Sequence, residues 1–356
     1  MPDADIIVAG AGMVGCYIAK KLSDRGYSVT LLEKSKAMKE DSGIVSKRFF
    51  RHVPKKFAMH RIDRMQFVSP SKKTFSLKGR TFAWVVSRHE VNSHLRKQCK
   101  ENTSYERILS VNTGKNGAEV KTDENTYSCR LIVGCDGTFS TVRRQLGGKD
   151  PRIFFGMLTR TKMQKGSVQV HLNKHYSPDF FGWIIPQTGE WGIMSGTNAK
   201  EHFDYFGQKE NLEKGEVHGY PIPMGLVQTS YERAMIVGEA AGQTKPLTGG
   251  GYVLGLECAR HAIKTADLCM QQGNFGREFI VSSYDRWRMQ FAGEIKLQLL
   301  ARKIYRRMTN KQIDKIFDIL GPHAERVEVK DYDLLSKTFM QMPKTAIIKA
   351  GLQAIF

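Results

Sequence analysis

The clearest structural pattern in the chain is DADIIVAGAGMVGCYIAKKLSDRGYSVTLLEK, residues 3–34. Its apolar pattern predicts a short buried strand over 6–9, a glycine-rich turn, a helix over 14–25 and a second strand over 28–32. A strand that runs through such a turn into a helix is the opening unit of a parallel α/β sheet. The stretch therefore predicts an α/β fold whose first turn binds a nucleotide.

Four residues of this stretch fit that role. Gly10 permits the tight turn, Gly12 lets a pyrophosphate approach the backbone, and Gly15 lets helix and strand pack closely, with the helix N-terminus facing the phosphates. Glu33 follows 18 positions after Gly15, where a carboxylate accepts hydrogen bonds from a ribose. The motif alone does not distinguish NAD from FAD.

Two later segments favour FAD. RLIVGCDGTFSTVRRQLG, residues 130–147, predicts a strand that ends at Asp136-Gly137 and a helix after it. RAMIVGEAAGQTKPLTGGGYVLGLECARHA, residues 233–262, predicts a strand, a turn at Glu239, a glycine-rich loop and a long helix. Three such units suit an extended cofactor: Glu239 is placed to reach ribityl hydroxyls, and the last helix points its positive end at the flavin.

Composition limits the class of protein. The chain has 356 residues, 41% of them hydrophobic, enough for a large core or two intergrown domains. The longest uncharged apolar stretch, residues 6–19, is too short to span a membrane, and no charged segment precedes it as in a signal peptide. The six cysteines are scattered, which predicts no disulfide framework, no metal site and a cytoplasmic location.

The charge is strongly positive, +20 overall. Residues 47–100 contain fifteen Lys and Arg against two acidic residues. No nucleic-acid motif accompanies this charge, so no nucleic-acid partner is predicted. An anionic membrane surface or a phosphorylated substrate fits equally well, and a solvated basic face is the simplest alternative.

These segments resemble the FAD-dependent reductases of the geranylgeranyl reductase family, within the p-hydroxybenzoate-hydroxylase-like flavoproteins, over nearly the whole chain. VVSRHEVNSHL, residues 85–95, matches the family's arginine-led helix, and ILSVNTG places Val111 where the backbone meets the adenine. Residues 284–320 are similar to the family's helical tail. The resemblance implies an α/β fold: a Rossmann-like FAD-binding domain of that type, an intergrown mixed-sheet substrate domain and a helical C-terminal tail.

The motif and the resemblance together predict a discontinuous cofactor site. Its residues are Gly10, Gly12, Met13, Val14, Gly15, Glu33, Lys34, Ser42, Gly43, Arg88, Val111, Asp136, Gly137, Glu239, Pro246, Gly249, Gly250, Gly251 and Tyr252. One departure lies beside it, since Asp41 stands where the family often has a cysteine. The predicted FAD domain comprises 1–50, 80–150 and 225–285, the substrate sheet 51–79 and 151–224, and the helical region 286–356.

The run SPDFFGWIIPQTGEWG, residues 177–192, bears on the substrate. The reductases carry P-x-x-Y-x-W-x-F-P, met here by Pro178, Trp183 and Pro186, with Phe181 for the tyrosine and Ile185 for the second aromatic. Flavin-dependent halogenases carry W-x-W-x-I-P, which this run matches except at Phe181. Phe181 and Trp183 alternate onto one strand face, so we predict substrate contacts at Phe181, Trp183 and Pro186. Two core aromatics in a sheet is the simpler alternative.

Other features favour the reductases. The second flavin segment is closer to theirs, the chain is short for a halogenase, and Gly242 stands where aromatic hydroxylases usually carry a histidine. The resemblance implies saturation of C=C bonds in geranylgeranyl chains of archaeal membrane-lipid precursors, with hydride from reduced flavin N5. A flavin monooxygenase or halogenase, or a flavin protein that carries lipid without turnover, is the alternative.

Several features stay open. No catalytic side chain is identified, and the electron donor is NAD(P)H, a ferredoxin or a similar carrier. The last segment, MPKTAIIKAGLQAIF, is apolar enough to cover a pocket or contact a membrane, although a packing helix is the simpler interpretation. We therefore expect a cytoplasmic protein that visits the membrane surface.

Overall fold

The computed structural model describes residues 2–38 and 42–355, so Asp41 lies outside the described residues. Within them the strands are β1 (Ala4–Ala9), β2 (Val29–Leu32), β3 (Ser42–Val45), β4 (Ala58–Val68), β5 (Thr74–Ser87), β6 (Thr103–Ser104), β7 (Ile108–Thr113), β8 (Ala118–Thr122), β9 (Thr126–Gly134), β10 (Arg152–Arg160), β11 (Val168–His171), β12 (Gly182–Ile185), β13 (Glu190–Ser195), β14 (Val217–Met224), β15 (Ser230–Tyr231) and β16 (Ala234–Ile236). The α-helices are α1 (Met13–Ser23), α2 (Arg88–Gln98), α3 (Thr141–Gln145), α4 (Ala199–Lys209), α5 (Tyr252–Gln272), α6 (Arg277–Tyr284), α7 (Arg286–Arg307), α8 (Asn310–Ala324), α9 (Leu335–Phe339) and α10 (Lys344–Ile355).

The chain divides into two compact units. The first comprises Met1–Gly43, Ser87–Arg152 and Pro223–Ile295. The second comprises Ile44–Val86, Ile153–Ile222 and Lys296–Phe356. The three-part division predicted above stays a prediction.

The first unit is built on a parallel sheet. Its order is β16-β9-β1-β2-β6, with β15 antiparallel to β16 and an antiparallel β7–β8 pair continuing from β9. Ala9 is level with Leu32 on one side and Gly134 on the other, and Gly134 is level with Ile236. These four strands therefore end at the same edge of the sheet. The predicted Rossmann-like fold is confirmed.

The first helix is slightly shorter than predicted. It ends at Ser23 rather than at 25, because the next residues form a turn in which Gly26 has a φ of +87° and donates its N–H to the Ser23 carbonyl. A glycine in this left-handed conformation is a common helix stop.

The second unit is built on a mixed sheet of order β14-β10-β13-β12-β11-β4-β5-β3. β11 pairs parallel with β4, whereas β10–β13, β12–β13, β11–β12 and β4–β5 are antiparallel. One core cluster joins β4, β5 and β11 to α8. Within it, the ring centroids of Phe75 and Phe317 lie 4.8 Å apart. A second cluster packs α4 on β13, where Trp191 stacks on Phe203 with ring centroids 4.3 Å apart.

Among the described residues, no helix is both long and apolar enough to cross a bilayer.

Candidate functional site

The common edge of the parallel sheet brings three glycine turns together. Gly10 follows β1, Asp136-Gly137 follows β9, and Gly238-Glu239 follows β16. The carboxyl edge of an open parallel sheet is where α/β proteins bind ligands. Sequence segments far apart in the chain thus meet where the nucleotide site is predicted.

The first turn fits a phosphate. Gly10 has a φ of +97°, and a Cβ on Gly15 would lie 1.9 Å from the Gly10 carbonyl oxygen, so helix and turn are in direct contact. A Cβ on Gly12 would meet nothing within 4 Å. Gly12 is also the N-cap of α1 and, as a glycine, makes no side-chain capping hydrogen bond. The open space at Gly12 and the N–H groups at the start of α1 suit an anion.

The contact at Gly15 gives a stability prediction. Gly15→Ala should lower the free energy of unfolding by about 3 kcal/mol, because the new methyl group overlaps backbone that cannot move away cheaply. The control is Gly293→Ala in α7, where a Cβ meets nothing within 4 Å and should raise stability by about 0.5 to 1 kcal/mol. Denaturant unfolding measures both changes, and equal effects of the two substitutions would contradict the packing at Gly15.

Glu33 is held at the end of β2. Its Oε2 accepts the Ala11 N–H at 2.8 Å and its Oε1 accepts the Ser35 N–H at 3.1 Å. Arg96 lies on the same side, with Nη2 3.6 Å from Glu33 Oε2 and Nε donating to the Ala11 carbonyl at 2.9 Å. Arg96 was not among the predicted residues; its position two turns after Arg88 on α2 is the signal available in the sequence.

Four predicted cofactor residues meet in one cluster. Arg88 Nη2 donates to Glu239 Oε1 at 3.3 Å, and its guanidinium carbon lies 4.6 Å from the centroid of the Tyr252 ring. A Cβ on Gly43 would lie 2.3 Å from Cε2 of that same ring, so any larger residue there would require the ring to move. These residues come from four separate segments, which the fold brings to one place.

The second turn caps the start of α3 and is hydrogen-bonded to the third turn. The Asp136 carboxylate accepts the Ser140 hydroxyl at 2.5 Å and the Val142 N–H at 3.0 Å at the start of α3, and burial raises its pKa. The fully buried Arg143 donates to the Thr138 carbonyl at 3.1 Å and to the Ala240 carbonyl. Arg143 thereby ties the second turn to the third.

The third turn is fixed by buried hydrogen bonds. The Gly238 N–H donates to Gln243 Oε1 at 2.7 Å, Gln243 Nε2 donates to the Tyr284 hydroxyl at 3.0 Å, and that hydroxyl donates to the Ile236 carbonyl at 2.8 Å. Gln243 and Tyr284 were not predicted. After this turn Gly251 is the N-cap of α5, and as a glycine it also makes no side-chain capping hydrogen bond.

The other predicted residues differ in burial. Pro246 and Met13 are buried, while Gly249, Gly250 and Ser42 are half-buried and Lys34 is exposed. The Val14 side chain packs at Gly238 and Gly255, which joins α1 to the third turn and to α5. Val111 points into the core formed with β8 and β9, so only its backbone is available to a ligand. Gly137 has a φ of +81°, and a Cβ there would meet open space.

The predicted aromatic face lies in the second unit. Phe181 precedes β12 and Trp183 lies within it, with their ring centroids 6.2 Å apart and the planes at 70°. A Cβ on Gly192, opposite Trp183 in β13, would lie 2.5 Å from the indole Cζ2, so the glycine leaves room for the indole. Both aromatic side chains and Pro186 stay half-buried. Phe181 and Trp183 pack against the core cluster of the second unit as partly buried side chains, so the core interpretation of this motif stays open beside the predicted substrate contact.

Trp183 is fixed by a buried carboxylate. Its Nε1 donates to Glu190 Oε1 at 3.3 Å, and Arg160 Nη2 donates to Glu190 Oε2 at 3.2 Å. Glu190 is only 2% exposed. The register of β12 and β13, which the sequence does not reveal, brings these groups together.

The run before β12 is held by cations from α7. The guanidinium carbon of Arg302 lies 3.5 Å from the centroid of the Phe154 ring and 4.4 Å from that of Phe180. Arg306 Nε lies 2.6 Å from Asp179 Oδ1. None of these cations was predicted to touch the aromatic run, because the contacts span more than a hundred residues of sequence.

Comparison with known proteins agrees with the sequence motifs. A family model described as an NAD(P)-binding Rossmann-like domain matches residues 8–37. The chain is 24% identical over 361 residues to the digeranylgeranylglycerophospholipid reductase of Methanococcus vannielii, and the match covers 91% of this chain and 92% of the relative. The resemblance to the geranylgeranyl reductase family is confirmed.

Solved structures agree on the fold. A geranylgeranyl bacteriochlorophyll reductase-like protein from Thermoplasma acidophilum has a TM-score of 0.81 at 17% identity, over 98% of this chain and 95% of that chain. The p-nitrophenol 4-monooxygenase PnpA of Pseudomonas putida DLL-E4 has a TM-score of 0.71 at 14% identity, over 96% and 99%. The predicted flavoprotein fold class, which both kinds of enzyme share, is confirmed.

Proposed function

We propose that this protein is an FAD-dependent reductase that saturates C=C bonds in the geranylgeranyl chains of membrane-lipid precursors. The observation that carries the proposal is the similarity to a named digeranylgeranylglycerophospholipid reductase over nine-tenths of both chains. The fold alone does not separate reductases from monooxygenases, since it is shared with p-nitrophenol 4-monooxygenase.

The first unit fits FAD. It offers two helix N-termini with glycine caps, open space at Gly12, and the cluster of Arg88, Glu239 and Tyr252. When bound, reduced FAD supplies hydride from N5. The positive end of α5 favours negative charge on the reduced ring, and Glu33 and Glu239 have the acceptor oxygens that sugar hydroxyls need. We propose that the other residues of the predicted cofactor site, given above, also contact FAD.

The aromatic face of the second unit suits an alkene. An isolated C=C bond offers no hydrogen-bonding handle, so its position depends on shape and burial. Phe181, Trp183 and Pro186 supply apolar surface, and Glu190 fixes the indole in one orientation. We assign no side chain as the proton donor to the second carbon; water fills that role.

The proposal assigns each part of the chain the role predicted from the sequence. Segments 1–50, 80–150 and 225–285 bind the cofactor, 51–79 and 151–224 bind the substrate, and 286–356 forms a helical region. The electron donor is NAD(P)H, a ferredoxin or a similar carrier. The protein is cytoplasmic and visits an anionic membrane surface, toward which Lys55, Lys56 and Arg61 contribute exposed positive charge.

The experiment that tests this function begins with the cofactor. Denatured protein should release FAD and not FMN. The reduced protein is then mixed anaerobically with a panel of prenyl compounds, each with its saturated counterpart as control. Reoxidation by the unsaturated member of each pair supports the proposal, whereas reoxidation that requires oxygen and an aromatic compound would replace it with a monooxygenase.

A further inference from the structure

The C-terminal helix α10 has an inverted distribution of side chains. The side that packs on α8 buries the small residues Ala346 and Ala350. The larger apolar side chains are on the outside: Ile348 is 62% exposed and Leu352 is 51% exposed, with Ile347 beside them. A helix of a globular protein normally turns its large apolar residues inward. This arrangement therefore leaves an apolar face without a partner among the described residues.

The charges around this face select its partner. Residues 337–354 include three lysines, Lys337, Lys344 and Lys349, and no acidic residue. All three lysines are exposed. A second copy of a chain with net charge +20 would bring like charges together, which opposes association. An anionic surface that is also apolar below its charges satisfies both features.

We propose that α10 is an interfacial helix that docks the protein on an anionic lipid bilayer. Ile347, Ile348 and Leu352 enter the boundary between headgroups and acyl chains, as amphipathic interfacial helices do. Lys344 and Lys349 extend their ammonium groups to lipid phosphates while their methylene stems stay in contact with the apolar layer. This assignment rests on the membrane visit in the proposed function and deepens it by naming the element that docks; the proposed catalysis can fail without affecting it.

The test is co-sedimentation of the full chain with vesicles. Vesicles of dimyristoylphosphatidylglycerol are compared with vesicles of dimyristoylphosphatidylcholine, whose saturated chains contain no substrate alkene. The double variant Ile348→Gln, Leu352→Gln should lose at least about tenfold in partitioning onto the anionic vesicles, because two apolar side chains no longer leave water. The matched control Leu109→Gln changes a leucine of similar exposure, 48%, on β7, and should stay within about twofold of the parent.

A second arm separates charge from apolar insertion. Reversing Lys55, Lys56 and Arg61 to Glu should weaken binding to anionic vesicles at low salt. The difference from the parent should disappear at high salt, because salt screens the attraction between basic residues and lipid phosphates. It should leave the cofactor in place. The loss caused by the α10 double variant should persist at high salt.

An independent readout follows the helix itself. An environment-sensitive fluorophore on Leu352→Cys should shift to the blue with anionic vesicles only. Unchanged partitioning of the double variant, or a fluorophore that stays in water while the protein sediments, would overturn the proposal. Equal binding to both vesicle types would show that docking does not require an anionic lipid. A concentration-dependent dimer that the double variant abolishes would assign the face to a second copy instead.

Discussion

Gly12→Val is expected to abolish FAD binding without unfolding the protein. A Cβ on Gly12 meets nothing in the chain within 4 Å, so the new side chain starts in open space. The isopropyl group instead occupies the space in front of the α1 N-terminus, where the pyrophosphate is proposed to lie. We expect FAD affinity to fall at least about 100-fold, which corresponds to about 2.7 kcal/mol.

The control for this substitution is Gly219→Val. Gly219 lies on β14 in the second unit, and a Cβ there also meets nothing within 4 Å. This variant should bind FAD like the parent, as measured by titration of the apoprotein with flavin fluorescence as the readout. Normal FAD binding by Gly12→Val would show that the nucleotide does not bind at the first turn. Unfolding of Gly12→Val, measured by circular dichroism, would contradict the open space that the structure has at this position.

The second large effect is expected at Trp183. Trp183→Ala should raise the dissociation constant for a geranylgeranyl lipid by about 100-fold, because truncation of a large aromatic anchor typically costs about 2 to 4 kcal/mol. FAD binding should change little, since the cofactor residues lie in the other unit. Trp183→Phe should lose less than Trp183→Ala, because it keeps an apolar ring, although it gives up part of the indole surface and the hydrogen bond to Glu190.

The matched control is Tyr205→Ala, an exposed aromatic residue on α4 of the same unit. Substrate binding is measured by equilibrium titration of oxidised protein, separately from FAD content. Equal losses of FAD and of lipid in Trp183→Ala would indicate a damaged fold. Unchanged lipid binding would mean that Trp183 is a structural residue of the sheet, the simpler interpretation of this motif.

The sequence was sufficient for the strand-to-turn units because their signals are local. Gly10, Asp136-Gly137 and Gly238 each follow an apolar strand pattern within a few residues, and the structure places all three at one sheet edge. The supporting contacts were not predictable in this way. Arg96 contacts the Ala11 carbonyl 85 positions away, and such a contact depends on how α2 packs.

The same limit applies to the aromatic run and the tail. The alternation of Phe181 and Trp183 is a local pattern, but the buried Glu190 beneath the indole depends on strand pairing. In α10 the apolar content suggested a packing helix. The side that is buried depends on the neighbour, and α8 accepts the alanines. Hydrophobic periodicity and composition identify an amphipathic helix, but they do not tell which of its faces is buried in the fold.

The mass of the lipid product distinguishes a reductase from the alternatives. Protein reduced under anaerobic conditions is incubated with a geranylgeranyl phospholipid, and the lipid is analysed by mass spectrometry while flavin absorbance reports reoxidation. We expect a gain of two hydrogens for each double bond reduced, with reoxidation of the flavin in proportion. A lipid of unchanged mass beside flavin that stays reduced, or a product that gains oxygen or halide only when air is admitted, would contradict the proposed function.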